Sequence, residues 1–229
     1  MMKNIYTLVA IVTILFAGAG SAMAQKETRD VSEFTKISFG IAGNLYLKQG
    51  SRQSLVLEGD DLDEIETEVS GGKLRIKREG RNWGWSNNKI DVYITIKNLE
   101  GVNLSGSGKV IGDSKFEVED LDLSVSGSGD MELDVYAKNI DSGISGSGSI
   151  ELSGVSEYHK VSISGSGKLA AENMEVEEYK IRISGSGACR INVTKEIDAS
   201  ISGSGNVSYK GNPDRVHSST SGSGKIRKI

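Results

Sequence analysis

The chain has 229 residues and is short of several things that site chemistry usually needs. It holds one cysteine, Cys189, one proline, Pro213, and two histidines, His159 and His217. A single cysteine excludes an internal disulfide. Two isolated histidines leave little material for a metal centre or a histidine-based acid–base pair. Aromatic residues make up only 6% of the chain, and the two tryptophans are Trp83 and Trp85. The formal net charge is −4, and lysine and arginine gather in the closing KIRKI. That balance argues against nucleic acid as a partner. The one extended apolar stretch, from about Ile5 to Ala19, is shorter than the roughly 20 residues a spanning helix needs. It follows Lys3 and leads to Ala22-Met23-Ala24 before Gln25, so residues 1–24 read as a signal peptide. The protein is expected to be exported to the periplasm, outer surface or extracellular space, with no integral membrane segment after cleavage. No cysteine near that point could carry a lipid anchor.

Glycine, by contrast, is abundant, with 29 copies. Many fall in one tetrapeptide, Ser-Gly-Ser-Gly, which begins at Ser105, Ser126, Ser145, Ser164, Ser184, Ser202 and Ser221. The intervals are 21, 19, 19, 20, 18 and 19 residues, a regularity no flexible linker would keep. Numbering the motif 1 to 4, the preceding residue (position 0) is apolar in six copies and Thr220 in the seventh. Position 6 is apolar in all seven, with Cys189 in the same column as Val110, Met131, Ile150, Leu169, Val207 and Ile226. In extended chain, residues of one parity share a face. Positions 0, 2, 4 and 6 therefore point inward if the chain stays extended through the motif, and the serines point outward in columns able to hydrogen-bond along the stack. A strand pattern with a period near 19 predicts an all-β, parallel β-helix-like solenoid. Cys189 is then a buried apolar residue rather than a reactive thiol. The two extra residues of the first interval are expected in a corner, and the charges of KIRKI would discourage a further strand from adding to the open edge.

Residues 25–100 form a β-rich N-terminal region that either caps the solenoid or supplies its first coils, with the SGSG repeat occupying 101–229. Strands are predicted in FTKISFGIAGNLYLKQG (34–50), QSLVLEGD (53–60), GKLRIKREG (72–80) and NKIDVYITIKNL (88–99), with GIAGNLYL as a degenerate copy of the repeat. DLDEIETEVSG (61–71) reads as a helical turn or a strand, with strand favoured for Glu66–Val69. Between two strands lies REGRNWGWSNNK (78–89), a loop or hairpin tip holding Trp83 and Trp85. Tryptophans there either stack on a ligand such as a sugar or fold back over the solenoid end. They are the candidate ligand-binding residues.

Other motifs carry less. SGSGK lacks the spacing of a phosphate-binding loop and no helix pattern follows it. SGSGDMELD resembles one turn of a calcium-binding roll, but the residue after the motif varies through Lys109, Asp130, Ser149, Lys168, Ala188, Asn206 and Lys225, so no aspartate ladder forms. The histidines fall in what read as corner segments, and no serine stands in a nucleophile elbow. No catalytic residue, metal ligand or cofactor is assigned.

The order of these patterns carries a resemblance. Phe34 to Gly50 runs F-x-x-I-x-x-G-x-x-G-x-L-x-L-x-Q-G; GGKLRI follows, then V-x-I-x-I-x-x-L from Val92 to Leu99, then repeated L-S-G-S-G. This resembles the putative auto-transporter adhesin family with a head GIN domain, common in Bacteroidetes. The resemblance implies a right-handed β-helix-like fold and brings no catalytic residues. No autotransporter barrel pattern is present. The sequence thus points to an exported, non-enzymatic solenoid that binds an envelope glycan or a surface protein. The alternatives are a carbohydrate-active enzyme on a β-helix and a purely structural envelope spacer.

Overall fold

A computed structural model describes residues 25–78 and 90–229. The N-terminal strands are β1 (Gln25–Arg29), β2 (Lys36–Phe39), β3 (Gly43–Gln49), β4 (Ser54–Gly59), β5 (Ile65–Ser70), β6 (Lys73–Arg78) and β7 (Ile90–Ile96). The repeat supplies β8 (Gly101–Gly106), β9 (Lys109–Gly127), β10 (Asp130–Gly146), β11 (Ser149–Gly165), β12 (Lys168–Gly185), β13 (Ala188–Gly203), β14 (Asn206–Lys210), β15 (Arg215–Gly222) and β16 (Lys225–Lys228). All belong to one sheet that coils on itself. The fold is a β-solenoid with about 19 residues per coil. No helix of the described residues is long and apolar enough to cross a membrane.

The SGSG segments stack in one register. Ser126 pairs with Ser105, Ser145 with both Ser126 and Ser164, Ser184 with both Ser164 and Ser202, and Ser202 with Ser221. Positions 0, 4 and 6 point inward through the first six copies, forming columns of Leu, Val and Ile with Cys189 among them. Burial of each such side chain contributes about 1.5–3 kcal/mol. Halfway round the coil the inward parity switches. In β10 it passes from Met131, Leu133 and Val135 to Ile140, Ser142 and Ile144, which marks a second bend.

Position 2 does not follow the expected parity. Its glycine is exposed or half-exposed in every copy, because the strand ends there and the chain turns. The glycine adopts a left-handed φ, between +100° and +123° across the seven copies. The two motif glycines therefore answer different needs. At Gly185, φ is +118° and an added Cβ would lie 2.5 Å from the carbonyl oxygen of Gly165. At Gly187, in the position-4 column, the Cβ would lie 2.6 Å from a methyl of Ile163, the position-0 residue of the coil before. The bonds holding the corner are main-chain bonds rather than the expected serine ladder. The Ser166 N–H donates to Gly146 O at 2.9 Å and the Lys168 N–H to Gly148 O at 3.0 Å, a pattern repeated along the stack.

The N-terminal strands join the same stack out of sequence order. β2 lies between β6 and β8, and β3 between β7 and β9, all parallel. Outside them the pairing becomes antiparallel: β4 on β7, β1 on β4, and β5 on β6. Gly71 and Gly72, at φ +57° and +72°, close the two-residue turn between β5 and β6. Both readings of 61–71 appear, as a 3₁₀ turn Leu62–Glu64 followed by β5. The long first interval of the repeat is absorbed within β9, as an irregularity between Ile111 and Lys115, the residues paired with Glu132 and Asp134.

Candidate functional site

The repeat first excludes itself as a reactive centre. Each motif serine sits in an equivalent corner, and the corner is occupied with backbone bonding. The outward strip formed by these serines and the column two residues before them, including Ser124, Ser162 and Ser200, is shallow, with Val125, Ile144, Ile163 and Ile183 between the two columns. Arg182 is its only charged lining residue.

One serine and one histidine do meet, but inside the core. Ser142 Oγ and His159 Nε2 are 2.8 Å apart, and both residues are fully buried. His159 lies in β11, in an inward column with Ile140, Tyr179 and Ile197, not in the corner segment expected from the sequence. Its ring packs 5.2 Å from that of Tyr179. Burial lowers the imidazole pKa to about 3, so it is neutral. Burial also raises the Tyr179 phenol far above its ordinary range and pushes the Cys189 thiol up to about 12. A neutral Ser–His pair without solvent access fills two inward positions. It cannot receive a substrate. His217, in β15, is exposed.

Trp83 and Trp85 lie outside the described residues. The strands on either side define where their segment enters and leaves the fold. Ile76 of β6 pairs with Phe39, and Phe39 pairs with Leu104, so Ile76 occupies the position-0 column. Val92 of β7 pairs with Leu45, and Leu45 with Val110, so Val92 occupies the position-6 column. Fifteen residues, 77–91, separate Ile76 from Val92, where five separate Leu104 from Val110. Residues 77–91 are therefore an insertion of ten residues, in sequence, between the two columns that SGSG joins elsewhere.

Beside that insertion, on the outward face of β3 and β7, Tyr46 and Tyr93 stack with centroids 4.9 Å apart. Lys26 Nζ lies 5.6 Å from the Tyr93 ring centre. Asn44 Nδ2 donates to Asp91 Oδ1 at 2.8 Å on the adjoining column. Burial, followed by the nearby Glu58 and Asp91 carboxylates, raises the Tyr93 phenol. The alternation of β3 and β7 is visible in the sequence, whereas the cross-strand pairing of Tyr46 with Tyr93 is set by the long-range register.

Two of the concavities with charged linings bear on function. One, of about 830 Å3, is lined by Glu100, Glu117, Asp120, Asp122 and Asp141 together with Lys36. Among the described residues no group of three or more histidine, cysteine, aspartate or glutamate side chains is placed to hold a metal ion. The other, of about 510 Å3, lies on β13, β14 and β16 and carries Arg190, Lys225 and Arg227.

These features can be set beside known proteins. A family model described as "Putative auto-transporter adhesin, head GIN domain" matches residues 33–213, and the chain belongs to that family. A crystal structure of a putative adhesin from Bacteroides fragilis is 25% identical, with a TM-score of 0.85 over 91% of this chain and 98% of that one. A putative adhesin from Parabacteroides merdae is 24% identical with a TM-score of 0.74, covering 92% of this chain and 98% of its own. A protein from Parabacteroides distasonis named as a putative lipid binding protein has the same fold, at 24% identity and a TM-score of 0.75, over 92% of this chain and 98% of that one. No curated protein matches the chain.

Proposed function

From that membership, we propose that the protein is an exported, non-enzymatic solenoid that acts at the cell envelope or surface by binding, with an envelope glycan or a surface protein as its partner. The observation that supports this reading most is the sevenfold equivalence of the corners. It gives no single rung a distinct reactive group, while the one Ser–His pair is sealed in the core. Recognition is then expected where the repeat is broken, and Trp83 and Trp85 sit in the largest break. Tryptophan supplies large contact area at low entropic cost, and its ring suits the apolar face of a sugar.

The test is binding of the full chain to a glycan array and to isolated envelope fractions, with Trp83→Ala/Trp85→Ala as the variant. Saturable binding that falls about tenfold or more in the double variant is the expected result. Absence of binding to any glycan or envelope fraction defeats the adhesive reading. Release of soluble fragments from a polysaccharide would replace it with an enzymatic one.

A further inference from the structure

We infer that the concavity on the outward face of β13, β14 and β16 is a binding site for a phosphate-type oxyanion. It is formed by three cationic side chains on two adjacent columns. Arg190, Ser208 and Arg227 are register partners in successive coils, and so are Ala188, Asn206 and Lys225 beside them. Stacked strands repeat at about 4.8 Å, so the two guanidinium groups flank the Ser208 coil from either side.

The lining contains no carboxylate. Arg190 meets Glu172 only at 3.8 Å, with the arginine side chain 67% exposed. Arg227 Nε donates to Ser208 Oγ at 3.4 Å, a long bond. Among the described residues, no acidic side chain pairs with Lys225 or Arg227. Lys225 and Arg227 thus stand without an acidic side-chain partner among the described residues, and Arg190 keeps only the long contact to Glu172, in a chain whose net charge is −4. Their mutual repulsion is screened by solvent at this exposed face and is relieved further when an anion binds.

Earlier coils sharpen the contrast. At the position of Lys225 the earlier coils carry Lys109, Asp130, Ser149 and Lys168, and at the position of Arg227 they carry Ile111, Glu132, Glu151 and Ala170, so acidic side chains gather only at the Asp130 and Ser149 levels. The same face is thus acidic at one level and basic at another. The chemistry of the cluster selects its ligand. Guanidinium groups match tetrahedral oxyanions with paired N–H donors, and Lys225 adds a mobile point charge. The Ser208 hydroxyl and the Asn206 amide supply neutral donors at the same place. An oxyanion held there neutralises the cluster and draws the three coils together.

The experiment titrates the full chain with inorganic pyrophosphate by calorimetry and, in parallel, sediments it with phosphatidylcholine vesicles prepared with and without phosphatidylglycerol. The test variant is Arg190→Gln/Lys225→Gln/Arg227→Gln. The control is Lys48→Gln/Lys97→Gln/Lys138→Gln, which removes the same charge from exposed positions elsewhere. Circular dichroism checks that both remain folded. The expected result is saturable binding that falls about tenfold or more in the test variant and stays within about twofold in the control. Binding to pyrophosphate alone supports the site and names a free or polymer-borne phosphate as its source. Binding only to phosphatidylglycerol vesicles supports the site and names a lipid headgroup. Absence of binding to both probes, or equal loss in the two variants, overturns the inference. The outcome is independent of Trp83 and Trp85, so it can fail while the glycan-binding reading stands, and the reverse.

Discussion

The corner between β2 and β3 and the corners of the SGSG stack do the same job with different residues. In register, Gly40-Ile41-Ala42-Gly43 occupies the place of Ser-Gly-Ser-Gly. Position 4 keeps its glycine. A Cβ on Gly43 would lie 2.1 Å from the carbonyl oxygen of Ile90 in the adjacent coil, where a Cβ on Gly187 meets a methyl of Ile163 at 2.6 Å and the Gly167 carbonyl oxygen at 3.0 Å. Position 2 does not keep it. Ile41 is buried there and lacks the left-handed φ of its counterparts. The comparison separates two requirements that the repeat alone confounds. Close approach of neighbouring coils fixes position 4 wherever a corner stacks. The left-handed turn at position 2 is one solution among others, available only if the chain gives up an inward side chain.

Four measurements test or refine this separation, each by chemical denaturation unless stated otherwise. The largest effect is expected from Gly185→Val, which combines a left-handed φ with a backbone clash and should cost more than about 4 kcal/mol. Gly143→Ala, with nothing within 4 Å of the added methyl, is the matched control and should change stability by less than about 0.5 kcal/mol. Gly43→Ala should cost about 3 kcal/mol, because its obstacle is backbone. A neutral Gly43→Ala would show that the two corners do not share the position-4 requirement.

The third measurement concerns pH. The His159 pKa is about 3 when folded and 6.5 as its ordinary value. The unfolded chain therefore binds a proton that the folded one refuses. Its contribution to stability is fully present above about pH 6.5 and is lost as pH falls toward 3, with about 2 kcal/mol gone by pH 5. Stability curves for His159→Leu should lack this slope. An unchanged slope would mean that the ring charges without leaving the core. The smallest of the four is Ser142→Ala, which removes the partner of His159 Nε2 and should cost about 1–3 kcal/mol. Combined Ser142→Val/His159→Leu should recover most of that, since Val161 and Ile140 already fill equivalent inward positions.

Much of this architecture is legible in the chain. Positions 0, 4 and 6 could be assigned inward because one corner motif sets the phase of every coil, and Cys189 followed from its column. Position 2 misled, since parity counts residues and does not reveal where a strand turns. His159 was missed because SEYHK shares nothing with its neighbours that would set its phase. The insertion of β2 and β3 between later strands leaves no local trace, being decided by long-range pairing. Arg190 and Arg227 lie 37 residues apart, and only alignment on the column three residues beyond the last motif glycine brings them together. The placement of residues 77–91 between the two columns likewise required the pairings of Ile76 and Val92.

The constant register of the corners has an evolutionary consequence. Removing residues 184–201 would join Ile183 directly to Ser202, a junction of the same type as Ile201–Ser202 in the intact chain. Each coil is thus a modular unit of length, bounded by interchangeable ends. Selection can lengthen or shorten the rod by whole coils and move a surface feature along its axis without redesigning the core.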